Sequence, residues 1–372
     1  MIDSISSQMW RRRAHFGALA LAVAAACLWV SYSAAQTASS IEPGPKPNDI
    51  PKRWKPWIGE YEGGPPSISG VSAPLSWVCI VSERDGYIEF LKRVTSPTGI
   101  RYTQDEKFRV RGSDPGAHLL RTDDHGNRGM DFGDMFVRKT SPTFSDRAQV
   151  LIKPVREVSE LRTEAFAASP PHEDGNFRKP ELVELATLDS ATHLDIRYAS
   201  TNDFLGTPVY TQARAFLQKP AAEALVRALH KLHPLGYGLL IHDAYRPWYV
   251  TKIFWDATPP EGKIFVADPS QGSRHNRGCA VDLTLYDLAT GKPIEMPGTY
   301  DEMSPRSFPD YPGGTSLQRW HRDLLRRAME SEGFTVYEHE WWHFDYKDWH
   351  EYPILNVKFE DLGSSQGLAT TH

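Results

Sequence analysis

Two short segments carry most of the side chains capable of chemistry. Ser273-Arg274-His275-Asn276-Arg277-Gly278-Cys279-Ala280-Val281-Asp282 supplies an imidazole and a carboxylate seven residues apart. Glu340-Trp341-Trp342-His343 supplies a second imidazole, with a glutamate three residues before it. Two imidazoles and one carboxylate are a common ligand set for a catalytic zinc, which keeps a fourth position open for water. A carboxylate beside such a site can take that water's proton. His275, Asp282 and His343 are thus candidate ligands for one zinc per chain, and Glu340 is the candidate base. Aspartate is a harder ligand than cysteine and leaves the ion a stronger Lewis acid. Cys279 is expected to be a packed thiol, because the ligand set is complete without it.

The elements around these segments must make them converge. Gly278 permits a tight turn between His275 and Asp282, so a loop and the strand after it can meet one ion from two ends. Glu340 and His343 would share a helical face, but on a strand they point to opposite faces unless the strand ends between them. Trp341 and Trp342 are expected to wall the site or to fill core. The spacing predicts helices over 220–232 and 317–331, with Ala224, Leu225, Ala228, Leu229 and Leu232 on one face of the first. Pro220 suits a first helical turn, and Gly236 follows the helix end. Strands are predicted over 237–241, 281–286 and 335–346. This mixed order implies an α+β domain with an antiparallel sheet.

Residues 54–139 have another character. Short runs such as Trp57–Tyr61, Ser76–Val81, Tyr87–Leu91, Phe108–Val110 and Met135–Arg138 alternate with turn residues, and Arg84-Asp85-Gly86 reads as a hairpin turn. Regular short strands predict a small all-β antiparallel barrel or sandwich over 51–140. Its order resembles the lipocalin-like β domain appended to some hydrolases and peptidases. No charged cluster in it looks catalytic. Residues 36–50 read as a linker, 141–180 as a connector with a short helix over 157–168, 181–362 as the catalytic domain and 363–372 as a tail.

The chain has 372 residues and is 40% hydrophobic, enough for a sizeable core. With a net charge of −5 and no basic run after residue 13, nucleic-acid binding has no support. Residues 1–35 read as an export signal: Arg11-Arg12-Arg13, an apolar run over 17–30, then Ser33-Ala34-Ala35 at a cleavage point. The apolar run is shorter than a membrane span, so a periplasmic or secreted protein without a stable span is expected. Cleavage would leave Cys79 and Cys279, which make no disulfide framework. Oligomeric state is left open.

Ser-x-His-x-x-Gly-x-Ala-x-Asp followed by Glu-x-x-His resembles the zinc D,D-peptidases. The double tryptophan of Glu340-Trp341-Trp342-His343-Phe344 is similar to the D-alanyl-D-alanine dipeptidase branch, as are residues 196–206, Asp243-Ala244-Tyr245-Arg246-Pro247 and Met296-Pro297-Gly298-Thr299-Tyr300-Asp301. The resemblance covers about residues 181–358. It implies that His275, Asp282 and His343 bind zinc, that Glu340 is general base and then acid, and that Arg246 stabilises the oxyanion. It also implies that Asp301 holds the ammonium of the substrate, D-alanyl-D-alanine, with Ser273 nearby. Cys279 and Ala244 stand where a smaller or hydroxyl residue and a glycine are more familiar. A D,D-carboxypeptidase acting on peptidoglycan stems is the alternative; it would need an open groove where a dipeptidase needs an ammonium site. Taken alone, Arg246 could be a surface partner of Asp243, and Asp301 a cap for a helix starting near Glu302. His242, His339 and His350 read as bystanders, and Asp287 and Asp345 as turn or surface acids.

Overall fold

The computed structural model describes residues 41–63, 77–96, 99–104, 110–111, 120–122, 126, 128–132, 135–139 and 151–362. The expected export signal, residues 36–40 of the expected linker, Phe108 and the tail lie outside these residues. Contacts divide the chain into two compact units, residues 1–42 and 43–372. All that follows concerns the second.

Among the described residues, eight strands form one antiparallel sheet: β1 (Gly59–Gly63), β2 (Trp77–Arg84), β3 (Tyr87–Ser96), β4 (Gly99–Gln104), β5 (Val110–Arg111), β6 (Leu120–Thr122), β7 (Arg128–Phe132) and β8 (Met135–Lys139). Their order is β4-β3-β2-β1-β8-β7-β6, with β5 on β3. The hairpin between β2 and β3 turns at Asp85 and Gly86, both at positive φ (53° and 80°), the conformation that matches strand twist in a two-residue turn. Trp54, Tyr61, Val81, Ile88 and Phe90 form a core on this sheet.

Helix α1 (Val158–Ala167) follows, then β9 (Leu182–Glu184) and β10 (Thr192–Leu194). Next come β11 (Phe216–Gln218), α2 (Lys219–Leu232), β12 (Tyr237–Asp243), α3 (Trp248–Ala257), β13 (Ala280–Asp287), α4 (Ser316–Glu330), β14 (Phe334–Tyr337) and β15 (Glu340–Tyr346). The second sheet runs β10-β12-β13-β15-β14, antiparallel except for β10 on β12. Strands β9 and β11 form a separate antiparallel pair. The whole is a mixed fold of antiparallel sheets and few helices.

Helix α2 buries Leu225, Ala228, Leu229 and Leu232 against β12 and α4. Each leucine so buried contributes about 1.5–3 kcal/mol. Helix α4 opens on a capping box in which Thr315 and Gln318 satisfy each other's backbone N–H groups. The strand predicted over 335–346 is two strands, β14 and β15, joined by a turn at Glu338-His339. Helix α3 was not predicted. It buries Trp248, Tyr249, Val250, Ile253 and Phe254 and has little polar face for periodicity to reveal.

The two sheets are joined through α4. Glu83 on β2 is buried, and its carboxylate accepts from Ser316 N at 2.8 Å and Gly86 N at 2.7 Å. Arg319 donates to the Glu83 carbonyl at 2.7 Å, and Ile80, Leu91 and Tyr311 pack together. Among the described residues, no helix is long and apolar enough to cross a membrane.

Candidate metal centre

Sheet register assembles the site. Asp282 on β13 lies directly opposite His343 on β15, and Asp243 at the end of β12 lies opposite Asp282 on its other side. His275 enters from a single helical turn, His275–Arg277, closed by Gly278 at φ +67°. A Cβ on Gly278 would meet only the tip of the Leu182 side chain at 2.5 Å, which can move, so it is the positive φ that favours glycine there. Asn276 is wholly buried and fixes the loop, donating to Arg246 O and Thr251 Oγ1 (2.8 Å each) and accepting from Ser273 N.

Hydrogen bonding fixes both imidazole tautomers. His275 Nδ1 sits 2.7 Å from Ala244 O, which can only accept, so Nδ1 carries the hydrogen and Nε2 presents a lone pair. His343 Nε2 sits 2.9 Å from Asp345 Oδ1 and donates to it, leaving a lone pair on Nδ1. Those two lone-pair nitrogens face each other at 3.0 Å. Asp282 Oδ1 lies 3.3 Å from the first and 3.1 Å from the second, buried and with no hydrogen-bond donor. Three acceptors aimed at one another in a dry interior are tolerable only around a cation. Their ligand atoms all fall within 4.8 Å of one another, the spread a single ion spans. The residues present therefore fit a bound metal ion.

Glu340 is the first residue of β15, where the pairing with β14 shifts register between Val336 and Tyr337. That irregularity brings its carboxylate to 3.8 Å from His343 Nδ1, though strict alternation would turn the two apart. Burial and the Asp282 charge raise the Glu340 carboxyl well above its ordinary value, against the pull of His343.

These groups line a cavity of about 380 Å³ that also receives Tyr198, Arg246, Phe254, Ser273 and Asp301. Arg246 is buried, not a surface residue: Nε and Nη2 donate to Asp243 Oδ2 at 2.9 and 2.7 Å, and its guanidinium lies over the Tyr198 and Phe254 rings. Tyr210 in turn donates to Asp243 at 2.6 Å. Asp301 caps no helix, since the next helical turn, Pro305–Ser307, is capped by Ser304. Its carboxyl accepts from Tyr198 at 3.0 Å and is pushed well up by burial and by the charges of Asp282 and Glu340. Ser273 lines the cavity, and its Oγ accepts from Asn276 N, helping to form the His275 turn. Trp341 and Trp342 are buried but do not line this cavity; Trp342 packs on Tyr300. Cys279 is a buried free thiol.

Asp345 is not the surface acid that the sequence suggested. It is half-buried behind His343 and fixes that imidazole. Residues two apart on a strand share a face, and that period is the signal that would have found it. Tyr198 and Tyr300 were likewise missed, because a lone tyrosine carries no sequence signature of a polar role.

A family model described as D-ala-D-ala dipeptidase matches residues 178–362, the part of the chain that holds all of these groups. A D-alanyl-D-alanine dipeptidase of Escherichia coli K12 is 36% identical over 179 residues, which is 48% of this chain and 91% of that protein. The chain belongs to this family. Two further family members point the same way. The D-alanyl-D-alanine dipeptidase of Enterococcus faecalis V583 is 36% identical over 46% of this chain and 95% of its own length. That of Streptomyces coelicolor is 35% identical over 43% of this chain and 89% of its own. The family match begins after the eight-stranded sheet.

Proposed function

We propose that this chain is a zinc-dependent D-alanyl-D-alanine dipeptidase, exported from the cell, that releases two D-alanines. The observation that carries the reading is the convergence of His275 Nε2, His343 Nδ1 and Asp282 Oδ1 beside the Glu340 carboxylate. Family membership makes zinc the expected ion. Bound by these three residues, zinc would supply a Lewis acid that polarises the scissile carbonyl and acidifies a water.

The chain's own residues do the rest. Glu340 takes the water's proton and passes it to the leaving amine; its raised affinity for protons suits both halves of that task. Arg246, locked by Asp243, offers a fixed cationic donor to the carbonyl oxygen as charge develops there. Asp301 at the other side of the cavity receives the substrate ammonium, which distinguishes a dipeptidase from a carboxypeptidase. The eight-stranded sheet serves as a distinct β domain over about residues 51–140, and residues 1–35 direct export. Purified protein should hydrolyse free D-alanyl-D-alanine, lose that activity on chelation and regain it with zinc. Full turnover in metal-stripped protein would refute the proposal.

A further inference from the structure

A hydrogen-bonded chain runs from Asp282 to Asp301 through two buried phenols. Tyr300 Oη is 3.0 Å from Asp282 Oδ2 and 2.9 Å from Tyr198 Oη, and Tyr198 donates to Asp301 Oδ2 at 3.0 Å. Both rings are almost fully buried, and Tyr198 also lines the cavity. With zinc on Asp282 offsetting one of the charges that push Asp301 up, both carboxylates would be ionised, and three oxygen–oxygen contacts would share only two hydroxyl hydrogens, because ionised carboxylates only accept. Tyr198 gives its hydrogen to Asp301. Tyr300 has one hydrogen and two acceptors, the Tyr198 oxygen and Asp282 Oδ2.

The choice depends on Asp301. A free Asp301 carboxylate draws strongly on the Tyr198 hydroxyl, which polarises that oxygen and makes it the better acceptor for Tyr300. A cation placed on Asp301 weakens that draw. We propose that Tyr198 and Tyr300 are positioning residues coupling the two ends of the cavity, so that a substrate ammonium arriving at Asp301 releases the Tyr300 hydrogen to Asp282. No bond other than a hydrogen bond changes; one hydroxyl rotates. A hydrogen bond on Asp282 would reduce the charge it donates to a zinc held there, and so would leave that ion more electrophilic when a correct substrate is bound. The inference rests on the proposed zinc and ammonium sites and adds the link between them.

The test uses the full chain with Tyr198→Phe, Tyr300→Phe and Asp301→Asn. Zinc affinity is measured by chelator competition without substrate, beside kcat and KM for free and N-acetylated D-alanyl-D-alanine. Tyr300→Phe removes the hydrogen that would reach Asp282, so zinc affinity measured without substrate should not fall. The decisive variant is Tyr198→Phe, which touches no ligand. Coupling requires it to shift zinc affinity about threefold or more and to shrink the kcat advantage of the free over the acetylated dipeptide. Unchanged zinc affinity and an unchanged kcat ratio in Tyr198→Phe, with only KM altered, would overturn the coupling while leaving the dipeptidase reading intact. A wild-type protein that binds no zinc would overturn both. Melting temperatures separate a misfolded variant from an uncoupled one, and Asp301→Asn should reproduce the zinc shift from the far end if the chain transmits it.

Discussion

His343 Nε2 donates to Asp345 Oδ1 at 2.9 Å, from two positions on the same face of one strand. That bond decides which nitrogen of His343 faces Asp282 and His275. Asp345→Ala should therefore weaken zinc binding by about 10–100-fold without removing a ligand. Chelator competition on the purified variant measures this, and an unchanged affinity would show that the tautomer is set by something else.

Glu340 and His343 face the same point but should fail differently. Glu340→Gln should retain zinc and lose about 10²–10⁴-fold in kcat, since only proton transfer is removed. His343→Ala should lose zinc and activity together. Equal metal loss in both variants would make Glu340 a ligand.

Acetylating the substrate amine removes a charge pair with Asp301. Losing one partner of a desolvated pair costs about 2–5 kcal/mol. At about 1.4 kcal/mol per decade, kcat/KM for N-acetyl-D-alanyl-D-alanine should fall roughly thirty- to several-thousand-fold. Comparable turnover of both dipeptides would favour a carboxypeptidase and leave the metal centre standing.

Glu83 ties the eight-stranded sheet to α4 by accepting the Ser316 and Gly86 N–H groups. Glu83→Ala removes the acceptor of both N–H groups; Gly86 is exposed and Ser316 half-buried, so water takes over in part and the cost is about 0.5–1.5 kcal/mol. Calorimetry should show a lower melting temperature for the whole of residues 43–362. A sheet that melts separately, with the catalytic half unchanged, would show that the contact is incidental.

Burial, aided by the Lys46 charge, holds the His321 imidazole down to about 4, and Tyr237 hydrogen-bonds it. Unfolding lets it take a proton at about 6.5. The unfolded state thus binds more protons between those values. The stability from this group is fully present above pH 6.5 and is lost as pH falls toward 4, at up to about 1.4 kcal/mol per unit. Denaturant titrations across that window should show a flatter dependence for His321→Gln than for the wild type.

The ligand set was legible in the sequence because each segment keeps its chemistry within ten residues, around one glycine. Helices α2 and α4 were legible from their apolar faces, and the β2–β3 hairpin from Asp85-Gly86. What was hidden depends on facts that no local pattern holds. Asp345 matters only because β15 pairs with β13 in the register that sets Asp282 against His343. Glu340 was legible as the base, but how a strand could turn it toward His343 was not, since that depends on the register shift between Val336 and Tyr337. Helix α3 has only Lys252 and Asp256 as charged residues, too few for its one less buried side to stand out.

Asp301 sits at φ +54°. Left-handed backbone is comfortable for glycine and tolerable for aspartate and asparagine, but costly for branched or bulky residues. The backbone thus acts as a filter on which side chains this lineage can sample at the position. A drift in substrate preference that began here would pass through asparagine or glycine, both uncharged and both small. Loss of the ammonium contact is within one mutational step, whereas a larger residue to occupy its space would need the loop rebuilt first.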